Sequence, residues 1–454
     1  MLIHKYKLNG YNIVIDTNSN GIHLVSDAVY DMVDRIAPPL DEKCPDELFD
    51  LPYAKDEIEE AYADIRELWQ NDLLYAPKIE TGELYKGKIP IKSMCLHISH
   101  DCNMRCEYCF ASAGDYGRDR SLMSLEVGKK AIDFLLEKSL HIKNLELDFF
   151  GGEPLMNFDV VKELVKYGRE QEKKLGKHIR FTMTTNGALL DDEAIDFINA
   201  EMHNVVLSID GRKEVNDKMR PFEDGSGTYD VILPRYKKLV EKRTTGSYYV
   251  RGTFTHDNLD FSKDVIHLAD CGFDEISVEP VVLEPENKYA LKEEDLPIIF
   301  EEYEKLAKEI IKRDEEGRHF NFFHFMIDLD NGPCVYKRCK GCGSGSEYVA
   351  VTPNGDIYPC HQFVGDTSFK IGNIYDEQYN YDIQKTFALS TIDTNPECDK
   401  CWAKYFCGGG CAANNSKFNK DIKIPYRMGC ELERKRVECA IMIKAAQSAR
   451  NTEE

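Results

Sequence analysis

Cys102-Asn103-Met104-Arg105-Cys106-Glu107-Tyr108-Cys109-Phe110 is the stretch that decides the fold of this chain. Three thiolates on one short loop can ligate three corners of a cubane iron–sulfur cluster. The fourth iron then has no protein ligand, and an open metal position belongs to catalytic rather than structural sites. A zinc knuckle is the bland alternative for three clustered cysteines. The flanks favour the first reading. Ile91 to Ile98 reads as a buried strand and Ser124 to Ser139 as a helix. A strand, a ligand loop and a helix form the first unit of a parallel barrel, with the loop at the strand's carboxyl end, where such barrels do chemistry.

The pattern repeats downstream. Further strands are expected at Leu145–Phe150, Ile179–Thr185, Val205–Asp210, Tyr248–Thr255 and Glu275–Glu279, each followed by a helical stretch, the last from about Glu294 to Asp314. Six units are too few to close an eight-fold barrel and suit a partial (β/α)6 barrel with an open side. Polar motifs sit at the strand ends: Gly151-Gly152-Glu153-Pro154, Thr184-Thr185-Asn186-Gly187, Ser208-Ile209-Asp210-Gly211 and Glu279-Pro280, with Arg220 shortly after the fourth strand and Arg251 on the fifth. Glycines let a backbone approach a ligand closely, and a carboxylate can hold a cationic amino group. Ordinary turn chemistry is the competing reading of each.

The 454 residues carry 58 Lys+Arg against 80 Asp+Glu, a formal net charge of −22. That argues against nucleic acid or an anionic membrane as partner. No apolar run is long enough to span a bilayer, and the start has no apolar signal core, so a cytoplasmic protein is expected. Sixteen cysteines in such a chain point to metal or catalysis rather than disulfides.

The Cys102–Cys109 spacing, three residues then two, resembles the signature of the radical S-adenosylmethionine (SAM) superfamily. In that family the bare iron chelates the amino and carboxylate groups of SAM, and an electron from the cluster cleaves SAM to a 5′-deoxyadenosyl radical. The resemblance implies SAM contacts at Tyr108, Gly151, Gly152, Glu153, Pro154, Thr184, Asn186, Ser208, Asp210, Arg220 and Arg251. Tyr108 would lie against the adenine, the Gly-Gly-Glu-Pro turn at the amino group, and Arg220 at a carboxylate.

Ten cysteines fall between Cys334 and Cys439. Cys342 and Cys360 flank a hairpin signal at Asn354-Gly355. Then come Cys398-x2-Cys401-x5-Cys407-x3-Cys411 and Cys430. The set resembles the SPASM domain, which carries auxiliary 4Fe–4S clusters; its last gap is one residue longer than the usual one. The resemblance implies an outer cluster on Cys398, Cys401, Cys407 and Cys430. It implies an inner cluster on Cys342, Cys360 and Cys411, whose fourth ligand is open or supplied by Cys339 or Cys334. A pair of zinc ribbons is the alternative. Cys439 reads as structural within a terminal helix from Glu431 to Ser448.

The first residues form a third part. His4–Leu8, Tyr11–Asp16 and Ile22–Val25 read as strands, with a tight turn at Asn9-Gly10. Ser26-Asp27 caps a helix to about Ile36, and Lys55–Asn71 is an amphipathic helix. This resembles the winged-helix-like element of enzymes that modify ribosomally made peptides, where a leader peptide adds as a strand. Ile22–Val25 and the helix from Lys55 are the expected contacts; a generic small α/β cap is the alternative.

The expected organisation is therefore a precursor-peptide recognition element at 1–88, a radical SAM partial barrel at 89–316 and a SPASM domain at 317–454. As a whole the chain resembles the thioether-forming maturases of sactipeptides, close to those of the six-cysteine-in-forty-five-residues peptides. The resemblance implies three 4Fe–4S clusters, SAM, a Cys-rich precursor peptide and an electron donor such as flavodoxin or ferredoxin. No catalytic acid or base is assigned. Two alternatives stand: an anaerobic sulfatase-maturase-like enzyme that makes formylglycine, and a non-enzymatic metal-bearing peptide scaffold.

Overall fold

The computed structural model describes residues 2–78, 87–117, 120–327, 329, 339–376 and 378–451. Cys334 lies outside them. None of the described helices is long and apolar enough to cross a membrane.

A twisted sheet organises the chain. β4 (Ser93–His100), β6 (Asn144–Gly151), β7 (His178–Thr185), β8 (Met202–Ser208), β9 (Ser247–Phe254) and β10 (Glu275–Pro280) lie side by side in that order, all parallel. The crossovers carry α3 (Leu125–Lys138), α4 (Phe158–Leu175), α5 (Asp192–Glu201), α6 (Lys213–Met219), α7 (Tyr229–Lys242) and α8 (Ser262–Asp270). Period-two burial explains the layering. In β6, Leu145, Leu147 and Phe149 are fully buried against the helices, while Glu146, Asp148 and Phe150 face the other way, into the lumen. α3 starts where Ser124 accepts a hydrogen bond from Val127 N, and Ala131, Ile132 and Leu135 make its buried stripe.

The sheet does not stop at six strands. After α9 (Leu296–Glu315), the two-residue β11 (Asn321–Phe322) extends it beside β10. β12 (Tyr348–Val351) pairs in parallel with β4, and β13 (Asp356–Tyr358) and β14 (Gly372–Asn373) continue antiparallel. The short β5 (Ser121–Leu122) pairs with β4 near its end. The carboxyl-terminal hairpin thus closes off the edge of the barrel that a six-strand reading leaves free.

The first three strands, β1 (Ile3–Leu8), β2 (Tyr11–Asp16) and β3 (Gly21–Leu24), form a separate antiparallel sheet. Asn9 and Gly10 turn the first hairpin with φ of 52° and 83°, the left-handed pair such a turn needs. Val14 packs with α1 (Asp27–Met32) and α2 (Lys55–Gln70) in a core of their own. The opposite face, Tyr6, Leu8, Ile13 and Ile15, joins the main core, which also contains Val437 and Ile441 of the terminal helix α10 (Arg427–Asn451). α1 ends at Met32 rather than near Ile36, because turn structure begins at Val33.

Candidate functional site

The cysteine loop leaves the carboxyl end of β4 and lies against the turn that ends β6. Gly152 N donates to Ser99 O at 2.7 Å and Glu153 N to Asp101 O at 2.9 Å. Only glycine fits here. A Cβ on Gly151, whose φ is +122°, would stand 2.2 Å from Ser99 O, and one on Gly152 2.1 Å from Asp101 O. Glu153 is fully buried, and burial pushes its carboxyl up to about 7. Its oxygens accept from Leu155 N (3.0 Å), Thr185 Oγ1 (2.8 Å) and Asn186 N (2.7 Å). The motif's carboxylate therefore ties two strand ends together. The bond fixes Asn186, whose Nδ2 donates to Asn103 Oδ1 at 2.8 Å and lies 3.5 Å from Cys102 Sγ. Pro154 opens a single helical turn behind Glu153.

Tyr108, Asp210 and Arg220 come together on the other side of the loop. The Tyr108 hydroxyl donates to Asp210 at 2.7 Å and accepts from Arg220 Nη1 at 2.8 Å. Asp210 also accepts from Thr253 N at 3.0 Å, and burial raises its carboxyl to about 6 against the pull of Arg220. Arg220 Nε is buried without a partner. Thr184 and Ser208 are half-buried on the lumen side of β7 and β8, with Ser208 in register with Arg251. Arg251, also on the lumen side, donates from Nη2 to Glu279 Oε2 at 2.6 Å.

Burial pushes Cys102 up to about 12, with the Glu153 charge adding, and Cys106 up to about 11 against the pull of Arg220, with the Cys109 charge adding. Burial likewise raises Cys360, Cys398, Cys407, Cys411 and Cys430, and the charges these thiols feel divide the cysteines into two groups. Cys360 feels Cys411 and Cys342, while Cys398, Cys407 and Cys430 feel one another, with Cys401 beside Cys398 and Cys430. Cys339 is fully buried with Ile392, Cys398 and Tyr405, on the side of the second group. A cavity of about 350 Å3 runs between the groups, lined by Cys342, Cys411, Cys407, Cys430, His324 and Glu279. Among the described residues no three His, Cys, Asp or Glu converge tightly enough to share one metal ion.

Sequence reasoning missed the aromatic contact between these regions. Phe110, next to Cys109, lies 5.5 Å from the ring of His361, next to Cys360; Phe150 is 5.0 Å from His361. His97 Nδ1 bonds His100 at 3.0 Å, while its Nε2 is buried without a partner. The available signal was that Phe110 and His361 each directly follow a ligand-type cysteine.

The residues suit the groups the sequence implies. Thiols that burial keeps protonated call for a cationic metal partner to become ligands. An orphaned buried guanidinium nitrogen suits a carboxylate. The Gly151-Gly152 backbone lies where no side chain fits.

Comparison with known proteins agrees. Residues 92–232 match the 4Fe-4S single cluster domain, and residues 342–402 match SPASM, an iron-sulfur cluster-binding domain. The chain is 26% identical over 332 residues to a cysteine-type anaerobic sulfatase-maturating enzyme of Clostridium novyi, covering 70% of this chain and 86% of that one. Its fold is similar to native anSMEcpe with bound AdoMet and Kp18Cys peptide, with TM-score 0.64, 22% identity and coverage of 79% and 100%. It is also similar to Streptococcus suis SuiB bound to S-adenosylmethionine, with TM-score 0.52, 16% identity and coverage of 94% and 98%. A three-cysteine loop at the head of an open α/β barrel, followed by residues that match SPASM, makes this chain similar to the radical SAM/SPASM enzymes and supports that family reading.

Proposed function

We propose that this enzyme installs bonds between a cysteine sulfur and a carbon, of the sactionine type, in a ribosomally made peptide. Cys102, Cys106 and Cys109 would hold a cluster with SAM beside it, and the pair, when bound, would supply the radical chemistry that removes a hydrogen atom from the peptide. Tyr108, Asp210 and Arg220 would position the cofactor, the orphaned Arg220 Nε being the group suited to its carboxylate. The Gly151-Gly152 backbone, where no side chain fits, would hold its amino group. The outer cluster sits on Cys398, Cys401, Cys407 and Cys430, and the inner one on Cys342, Cys360 and Cys411, giving three in all.

The observation that carries the thioether reading is the inner trio. Cys342 and Cys411 line a cavity, Cys360 feels the charge of both, and Cys339 packs with Cys398, so among the described residues these three thiols are the inner set and one inner iron is left for a thiolate of the substrate.

Leader recognition falls to the first 88 residues. β1 is docked: His4 stacks on Trp402 with centroids 3.9 Å apart, and Tyr6 donates to Glu438 O. β3, in contrast, makes no strand pairing on its outer side among the described residues, which leaves an edge for β-augmentation. Flavodoxin or ferredoxin is the proposed electron source, and the cytoplasm the proposed location.

The test is incubation of anaerobically reconstituted protein with SAM, a reductant and the cysteine-rich peptides encoded beside its gene. Loss of two hydrogens with sulfur retained supports the reading. Loss of sulfur identifies formylglycine chemistry instead, and no change with intact SAM supports a non-enzymatic scaffold.

A further inference from the structure

The Arg251–Glu279 pair has unused valences in an enclosed place. Arg251 lies on the lumen face of β9, since its neighbours Val250 and Gly252 are buried on the other. Glu279 lies diagonally across on β10, where Arg251 is in register with Ser277 and Thr253 with Glu279. One bond joins them, Nη2 to Oε2 at 2.6 Å. Among the described residues Glu279 Oε1 accepts nothing, and Arg251 Nε and Nη1 donate to nothing. A pair that serves only to link two strands would be saturated by its surroundings; here the side chains remain 44% and 33% exposed inside the barrel.

The surroundings fit an uncharged polar guest. Arg436 is already engaged by His324 Nδ1 (2.8 Å) and Glu433 (3.0 Å), so the local charges nearly cancel. Glu279 stands at the edge of the cavity that Cys342 and Cys411 line, and that volume accommodates a residue's side chain. One acceptor beside two donors matches the N–H and C=O of one residue in an extended peptide, which point the same way.

We propose that Arg251 and Glu279 clamp the backbone of the substrate peptide at the segment that reacts, Glu279 Oε1 accepting an amide N–H and Arg251 donating to a carbonyl. This rests on the thioether reading and names the positioning residues for it. Holding the backbone orients the reacting carbon toward the cofactor side while the cysteine side chain enters the cavity.

The test is a binding cycle on cluster-loaded protein, using the synthetic full-length cysteine-rich peptide encoded beside the gene and single N-methyl variants of it. With the native protein, N-methylation at one core position weakens binding about tenfold or more, as for a bond to a charged group. In Glu279→Ala the same methylation costs nothing further, and Glu279→Gln is intermediate. Equal losses in native and Glu279→Ala protein, or no sensitive core position, overturn the clamp. A misfolded variant is recognised because N-methylation in the native protein alone must still find a sensitive position. Mass analysis of native protein with the unmodified peptide separates the two claims: absence of thioether removes the function, whereas thioether without coupling removes only the clamp.

Discussion

Gly152→Ala should disable the enzyme through the cysteine loop. The added Cβ would lie 2.1 Å from Asp101 O, 2.7 Å from Asp101 C and 3.0 Å from Gly114 Cα. All three are backbone atoms, so no rotamer change relieves the contact. A carbon approaches a carbonyl oxygen to about 3.3 Å, so the two segments must part by roughly 1.2 Å. That strains the 2.9 Å bond from Glu153 N to Asp101 O and moves Cys102, the next residue. Overpacking costs about 1–3 kcal/mol and the lost hydrogen bond about 1 kcal/mol. A misplacement of about 1 Å at a reacting centre costs about 100-fold in rate. The assay is 5′-deoxyadenosine formation under strong reductant, with iron counted in a background lacking the auxiliary cysteines. Gly176→Ala is the control. It ends α4 at φ +63° with nothing within 4 Å of the added carbon, so it costs about 1–2 kcal/mol in backbone strain and leaves the rate unchanged. A Gly152→Ala protein with native iron content and a rate within threefold of native would refute the reasoning.

Tyr108→Phe removes the hydroxyl between Asp210 and Arg220 and should lower stability by about 1–3 kcal/mol while raising the KM for SAM, read by urea unfolding and by SAM titration. Asp148 is raised by burial to about 6, so its contribution to stability is complete below its unfolded value of 3.8 and is lost as pH rises through about 6. Unfolding free energies from anaerobic urea titration should therefore fall between pH 4 and 6 in native protein, by up to about 3 kcal/mol, and fall less in Asp148→Asn. His4→Ala should unstack Trp402 and shift its fluorescence in a Trp69→Phe background, since the chain has only two tryptophans; unchanged emission would mean the recognition sheet docks some other way.

The barrel was legible because its signals are local. Buried runs such as Leu145–Phe149 alternate with capped amphipathic helices, and the cysteine spacings name their own loops. Contacts across the sequence were not legible. The pairing of β12 with β4 joins segments some 250 residues apart through backbone groups that carry no side-chain signature. The partners of Glu153 were not legible for a related reason: Thr185 and Asn186, which its carboxyl joins, belong to the next strand. The bond from Arg251 to Glu279 was likewise hidden, because the two residues lie on different strands.

The central claim is that Cys102, Cys106 and Cys109 hold a cluster whose remaining iron takes SAM directly. Electron–nuclear double resonance on reduced protein lacking the seven auxiliary cysteines, with SAM labelled at the amino nitrogen and carboxylate oxygens, tests it. The account predicts hyperfine coupling from both labels, and their loss on replacing any of the three loop cysteines. A reduced cluster on these cysteines that binds no labelled atom would contradict it.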